Sequence, residues 1–472
     1  MSQTDIDAAI AVTRFGLGAR PGEIAEAAGN PRGYLKAQIR RQGADIFRTD
    51  GETTNQRLAE FQDYRRERAM ARNAAPAPDA KPTMADGKPA EDEAVTAARQ
   101  FIRQNAAGDV LGRVQLAADT DASFRERWAL FWANHFTVSA IKVQTATLVG
   151  PFENEAIRPH VFGRFADLLG AAETHPAMLL YLDQAQSVGP NSRAAQRRGR
   201  VGRSPGLNEN LAREILELHT VGVDGGYAQA DVTEFARALT GLSIAGPRDA
   251  GVEGVLFRQQ THEPGERTVM GVRYAEGGKE QAGAVLADLA ARPQTARFVC
   301  TKLARHFVAD DPPPALVARL EKTWLSTHGD LARVAETLVD APEAWAPQAA
   351  KFKTPYEFVI SSYRALGHEP RGLGQVNAVL NGLGQRPFGA PSPKGWPDEA
   401  GPWAASDALV KRMQFAQQLG AVLGPRVQDP VALADQTLGA RLSATSAQAI
   451  SRAESRPEAV ALLLMTPEFQ RR

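Results

Sequence analysis

The sequence predicts a mainly α protein, a multi-helical body with one inserted β-hairpin. Three observations carry this. Apolar residues recur with a 3.6-residue period over most of the chain, as in 280–289, 295–308 and 314–325. Helix start and stop signals punctuate those runs. One stretch alone, GVLFRQQTHEPGERTVMGVRY (254–274), sets β-type triplets, Val255–Leu256–Phe257 and Thr268–Val269–Met270, on either side of a Pro264–Gly265 turn.

In chain order, residues 4–16 read as a short helix ending at Gly16 and Gly18, 33–41 as a second, and 54–72 as a charged third. Residues 74–93, AAPAPDAKPTMADGKPAEDE, contain four prolines and no large apolar residue except Met84. Such a stretch cannot bury enough surface to offset its ordering entropy, so it is predicted to be a disordered Pro/Ala linker. It separates N-terminal helices (1–73) from a main helical domain (94–472) that carries the hairpin at 254–274. Helical patterning resumes at Ala94. Asp121 or Ser123 is expected to cap the helix that ends near His135. Two helices follow in 151–182, then a Gly- and Arg-rich loop between Asp183 and Gly206. Beyond it come a helix from Leu207 and another over 231–239, with capping-box spacing at Asp231 and Glu234 and a stop at Gly241. RPFGAPSPKGWPDEAGPW (386–403) reads as a rigid loop. VAETLVDAPEAW from Val334 and VALLLMTPEF from Val460 share a short pattern of apolar helix followed by Pro–Glu–aromatic or its near equivalent.

The 472 residues include 43% hydrophobic and 23% charged ones, enough to build a large core. Lys plus Arg number 55 against 54 Asp plus Glu, and a net charge of +1 argues against a whole-chain nucleic-acid binder. The arginine cluster at 193, 197, 198, 200 and 203 has no interleaved aromatics, so no nucleic-acid partner is expected. The single cysteine, Cys300, forms no internal disulfide and reads as a small core residue. The N-terminus lacks a basic region followed by an unbroken apolar run, and nothing approaches the roughly 20 apolar residues of a membrane span. A cytoplasmic protein without a membrane span is the expectation.

LNENLAREILELHTVG (207–222) raises the functional question. At about 100° per residue, Leu207, Leu211, Ile215 and Leu218 share a face, while Asn210, Arg213, Glu214 and Glu217 form a polar stripe, with Asn208 nearby. Either the stripe is solvated, or it faces a cleft where paired carboxylates beside Arg and Asn serve as acid and base or hold a cation. FRERWALFWANHF (124–136) puts Phe124, Trp128, Phe131 and His135 on one face and ends at Asn134–His135. The turn His262–Glu263–Pro264–Gly265 tips the predicted hairpin, where His262 is free of helix geometry.

Several of these segments resemble a known family. RFGLGARPGE (14–23), FWANHFTVS (131–139), AMLLYLDQAQS (177–187), NENLAREILELHTVGVDGGYAQADVTEFARALTG (208–241), the His-Glu-Pro-Gly turn and GWP (395–397) are similar to the bacterial domain-of-unknown-function family 1800, over nearly the whole chain. The resemblance implies a mostly helical fold and supplies no reaction. It implies a sulfatase-fold companion protein, since many members look exported and sit beside one.

Spacing gives no metal motif: there is no CxxC, HExxH or Glu-x-x-His, and Glu217 and His219 lie about 200° apart on an α-helix. Cofactor and metal stay open. Two readings of function remain. One is an enzyme, hydrolytic or metal-assisted, with Glu214, Glu217, His135 and His262 as catalytic candidates and Asn134, Glu153, Arg158, Asn208, Asn210 and Arg213 as binding candidates. The other is a binding or assembly protein in which the same groups form a structural network. The cleft reading expects the stripe to be buried, with Arg213 and Glu214 contacting His135, Glu153, Arg158 or His262.

Overall fold

The computed structural model of the chain describes residues 2–49, 52–73, 84–85, 88–89, 93–199, 206–246, 249 and 254–472. Most of the 74–93 segment and residues 200–205 of the Arg-rich loop lie outside the described residues. Met84–Ala85 and Lys88–Pro89 form a two-residue antiparallel pair, and Arg193–Gly199 is helical rather than loop. The described chain is mainly helical, with three two-stranded antiparallel sheets.

The periodic segments form helices close to their predicted bounds: Thr54–Asn73, Glu93–Asp119, Ser123–His135, Lys279–Ala291, Pro293–Phe307 and Pro314–Ser326. Pro293 and Pro314 each occupy a first-turn position, where the missing N–H has no helical partner to lose. Neither Asp121 nor Ser123 caps its helix. Ala122 holds that position without a side-chain bond, and the Asp121 carboxylate instead pairs with Arg20. Ahead of Gln229–Leu239, the Asp231 carboxylate accepts the Ala228 N–H at 2.7 Å, and Gly241 follows with φ +94°. The paired sequence pattern gives the same shape twice: Leu331–Asp340 then Pro342–Trp345, and Arg456–Met465 then Pro467–Gln470.

Both predicted strands of 254–274 form, but they do not pair with each other. Val255–Phe257 pairs back with Leu242–Ile244. Arg267–Val269 pairs forward with Val272–Tyr274. The tight turn of the second hairpin is Met270–Gly271, at φ +46° and +80°, both positive as a primed two-residue turn demands. Methionine is not a residue that marks such a turn, whereas Pro264–Gly265 has the composition of one.

The apolar core falls into two clusters. One gathers Phe15, Phe124, Trp128, Trp132, Phe162, Phe165, Leu211, Ile215, Phe235, Phe307, Trp324 and their neighbours. The other gathers Leu17, Val114 and Ala117 with Phe358, Ile360, Phe415, Leu464 and Phe469. The interior also holds buried arginines. Arg14, Arg57, Arg127, Arg158, Arg364, Arg412 and Arg472 are all below 2% exposed. Arg158 donates to both oxygens of Glu126 at 2.7 and 2.8 Å, to Glu153 at 2.7 and 3.0 Å, and to the Asp45 carbonyl at 2.7 Å. Arg364 clamps Glu23 at 2.9 and 3.0 Å and reaches the Gly18 and Thr120 carbonyls. Arg127 and Arg472 share Glu357.

Removing one partner from such a set strands an uncompensated charge in the interior, at about 3–5 kcal/mol. Arg158→Ala is therefore expected to lower unfolding stability by about that amount in a urea titration, because Glu126 loses its cation and Glu153 keeps only Arg113. An unchanged midpoint would contradict the assignment.

Candidate functional site: a cleft strapped by Gly395–Trp396

The Ser123–His135 helix ends on the groups that build the cleft. Asn134 Nδ2 donates to the Trp396 carbonyl at 2.9 Å, and the Trp396 N–H donates to Asn134 Oδ1 at 2.8 Å. This reciprocal pair pins the loop strap to the helix end. Gly395 makes the approach possible. It sits at φ +82°, and a Cβ there would collide with the Asn134 carbonyl.

Two cavities meet at this strap, and Asn134, Trp396, Pro397 and Asp398 line both. The outer one has a volume of about 780 Å³ and is walled by His135, Glu217, Val221, Phe298, Lys302 and the strap. The inner one, about 120 Å³, is lined by Arg113, Arg127, Glu153, His306, Tyr356 and Glu357.

In the outer cavity Lys302 Nζ donates to His135 Nδ1 at 2.9 Å. His135 is buried, and its Nε2–H donates to the His219 carbonyl at 3.1 Å, so the imidazole is neutral with its proton on Nε2. Burial holds His135 well below its ordinary value, reinforced by the Lys302 charge. Behind it, His219 Nδ1 lies 2.7 Å from Glu173 Oε1, both fully buried. Among the described residues no carboxylate comes within 4.0 Å of Lys302 Nζ. Burial pushes the Lys302 ammonium down to about 8, with Lys394 and Arg305 adding like-charge repulsion and Asp398 opposing.

In the inner cavity His306 Nδ1 donates to both Asp398 oxygens, at 2.9 and 3.0 Å. That fixes the tautomer, and His306 Nε2 is buried without a hydrogen-bond partner among the described residues. Burial lowers His306. For Asp398, burial is outweighed by His306, Lys351 and Arg472, which hold its carboxyl well below the usual carboxylate range.

The structure brings together three of the sequence candidates, Asn134, His135 and Glu217, in the outer cavity. Glu153 lines the inner cavity, and Arg158 stands behind it as the buried clamp of Glu126 and Glu153. The remaining candidates lie elsewhere. Asn208 donates to the Asp183 carbonyl at 3.2 Å, and Asn210 is exposed. Arg213, 36% exposed, pairs with Glu209 at 3.3 Å and Glu217 at 3.5 Å and donates to Gln229 at 2.8 Å. Glu214 is half-buried, and burial raises its carboxyl. The expectation that Arg213 and Glu214 meet His135, Glu153, Arg158 or His262 through a buried stripe is thus corrected. Arg213 is taken up by its helix neighbours Glu209 and Glu217 and by Gln229 instead, and past Glu214 the α-helix of Asn210–Glu214 gives way to a π-helical turn at Ile215–His219. The wider turn rotates the residues beyond Glu214, so Glu217 faces the cavity and His219 points into the core.

His262 also does not reach the cleft. It is buried, donating Nδ1–H to the Thr240 carbonyl at 2.7 Å, while Glu263 holds the Asn191 backbone N–H at 2.7 Å and its side-chain amide at 2.6 Å. The turn is a lock between loops. Sequence reading misses Lys302, Asp398 and His306. A lysine and a histidine on the edge of an amphipathic helix read as solvated, and Asp398 is one acid in a Pro/Gly loop. Among the described residues no three His, Cys, Asp or Glu side chains gather in a way that could hold a metal ion.

The chain matches the family model described as "Protein of unknown function (DUF1800)" over residues 10–471. It belongs to this family. No curated protein matches it, and no solved structure does either. Among the described residues no helix is long and apolar enough to cross a membrane.

Below pH 8 the Lys302 amine is mostly protonated and unreactive; above it the lone pair is free. Amine-acylation footprinting across pH is expected to show half-maximal labelling of Lys302 near pH 8, read by peptide mass spectrometry. An inflection above about pH 10, the ordinary lysine range, would contradict the site.

Proposed function

We propose that the protein is an enzyme of the acid–base type, acting on a small anionic molecule held in the outer cavity. One observation carries this reading. Lys302 lines a large cavity with a neutral histidine as its one hydrogen-bond partner among the described residues and the Phe298 ring 5.5 Å from its ammonium. Two other lysines are tied to carboxylates, Lys351 to Asp310 at 2.5 Å and Lys142 to Asp183 at 2.8 Å. An ammonium with unused donors at a cavity wall suits a carboxylate or phosphate.

The charge around the cavity supports the same sign of ligand. Its lining cations are Arg297, Lys302, Arg305 and Lys394, and its acids are Glu217, Asp224, Asp398 and Glu399. Three of the acids are engaged, Asp398 with His306, Glu217 with Arg213, and Glu399 with Arg305 at 3.8 Å. Among the cations only Arg305 is engaged with one of these acids. Exposed Arg297 and Lys394 stand ready at the rim.

For the hydrolytic form of the reading, the base is His306. Asp398 fixes its Nδ1 proton, which leaves Nε2, buried and without a partner among the described residues, as the acceptor of a residue that lines the inner cavity. Glu217 lines the outer wall as a second carboxylate. The structural-network reading applies to other members of the candidate set: Arg158 with Glu153, and His262 with its turn, hold the fold together. A sulfatase-fold companion and a cytoplasmic location rest on the resemblance and on the N-terminal residue pattern alone.

Small carboxylates and phosphates are expected to raise the melting temperature by about 2–5 °C at roughly a hundredfold over Kd, and neutral analogues are not. Arg297→Met with Lys394→Met is expected to remove most of the shift. Stabilisation by the neutral analogues alone would overturn the reading.

A further inference from the structure

We propose that Lys302 is a covalent attachment point, forming an imine with an aldehyde or ketone that carries a carboxylate or phosphate. The proposal rests on the anionic-ligand reading of the outer cavity and goes beyond it by naming the reacting group and the substrate class.

The geometry is that of a presented amine. Nζ is fixed by one hydrogen bond, 2.9 Å to His135 Nδ1, and His135 is itself fixed by its bond to the His219 carbonyl. Phe131, Trp132 and Phe136 enclose the imidazole, with ring centroids 6.0, 5.5 and 4.6 Å away. The ring is therefore packed in place beside the amine. A carboxylate partner would keep Lys302 protonated, and none is in reach among the described residues. Lys353 provides the contrast within the same chain. It too has no carboxylate bond among the described residues, but it is buried against Ser361 at 3.0 Å and over the Phe469 ring at 4.1 Å, and it lines neither cavity. Lys302 combines the same freedom from carboxylates with an opening of about 780 Å³.

Desolvation and nearby cations favour the neutral amine of Lys302, the state that attacks carbonyl carbon. In the step, the nitrogen lone pair forms the C–N bond and the carbonyl π pair moves to oxygen, which is protonated to the carbinolamine. The C–O bond then breaks, and both amine hydrogens leave with that oxygen as one water. No oxidant or reductant is consumed. Arg297 and Lys394 at the rim are placed to hold the anionic end of the substrate.

The test is reductive trapping on the full-length protein. Native protein is incubated with pyruvate or succinic semialdehyde and cyanoborohydride, then mapped by peptide mass spectrometry. The expected result is one dominant adduct on Lys302, at least tenfold above any other lysine. Acetone and propionaldehyde at equal concentration are expected to label Lys302 at least tenfold less. Lys302→Arg, which keeps the charge, is expected to retain thermal stabilisation by carboxylates and to lose the adduct. Stabilisation by pyruvate without an adduct on Lys302 would overturn the imine and leave the anion site standing. Neither stabilisation nor adduct would overturn both.

Discussion

The buried guanidinium of Arg158 is the constraint on which the rest of the structure depends. It carries two carboxylates, Glu126 from the Ser123–His135 helix and Glu153 from the Glu153–Ile157 turn, and Glu153 also accepts from Arg113 at 2.8 Å. Burial alone works against a charged Arg158, but the two glutamates outweigh it and hold the guanidinium above its ordinary value. The arrangement fixes where the Ser123–His135 helix runs relative to its neighbours. Arg127 on the same helix fixes its other side, donating to the Gly16 carbonyl at 2.7 Å and pairing with Glu357. An apolar interface can slide by a methylene at modest cost. A fully desolvated, multiply bonded guanidinium cannot, because each lost bond leaves a buried polar atom unpaired.

That rigidity is inherited by the cleft. Asn134 and His135 are the last two residues of the pinned helix. One holds the Gly395–Trp396 strap and the other holds Lys302. Asp398, two residues beyond Trp396, lines both cavities and aligns His306. Lys351 also reaches the Asp398 carbonyl, and Arg472 donates to the His306 carbonyl at 2.5 Å. Through these bonds the buried Lys351 and Arg472 adjoin the cleft.

Helices are legible in the sequence because their apolar period is strong: the Pro293–Phe307 stripe of Val299, Cys300, Leu303 and Ala304 is buried as its spacing requires. Asn134, His135 and Glu217 are legible as site candidates because they fall in segments with polar residues at unexpected places. Three things are not legible. The π-helical turn at Ile215–His219 breaks the assumption of 100° per residue, so a stripe drawn at that spacing falls on the wrong face beyond Glu214. Strand partners cannot be assigned because three-residue strands carry no register information of their own. Lys302 and His306 escape notice because burial of a charged helix residue is decided by what packs over it. Here that is the 386–403 loop, about ninety residues further along the chain.

The pinned helix, the neutral imidazole and the presented amine all meet at His135, and its protonation state reports on all three. Nitrogen-15 NMR of the histidine-labelled protein reads it. His135 is expected to stay neutral, with its proton on Nε2, as the pH falls to the ordinary histidine value of about 6.5, because burial and the Lys302 charge hold it well below that value. A His135 that titrates at or above that value, or that carries its proton on Nδ1, would contradict this.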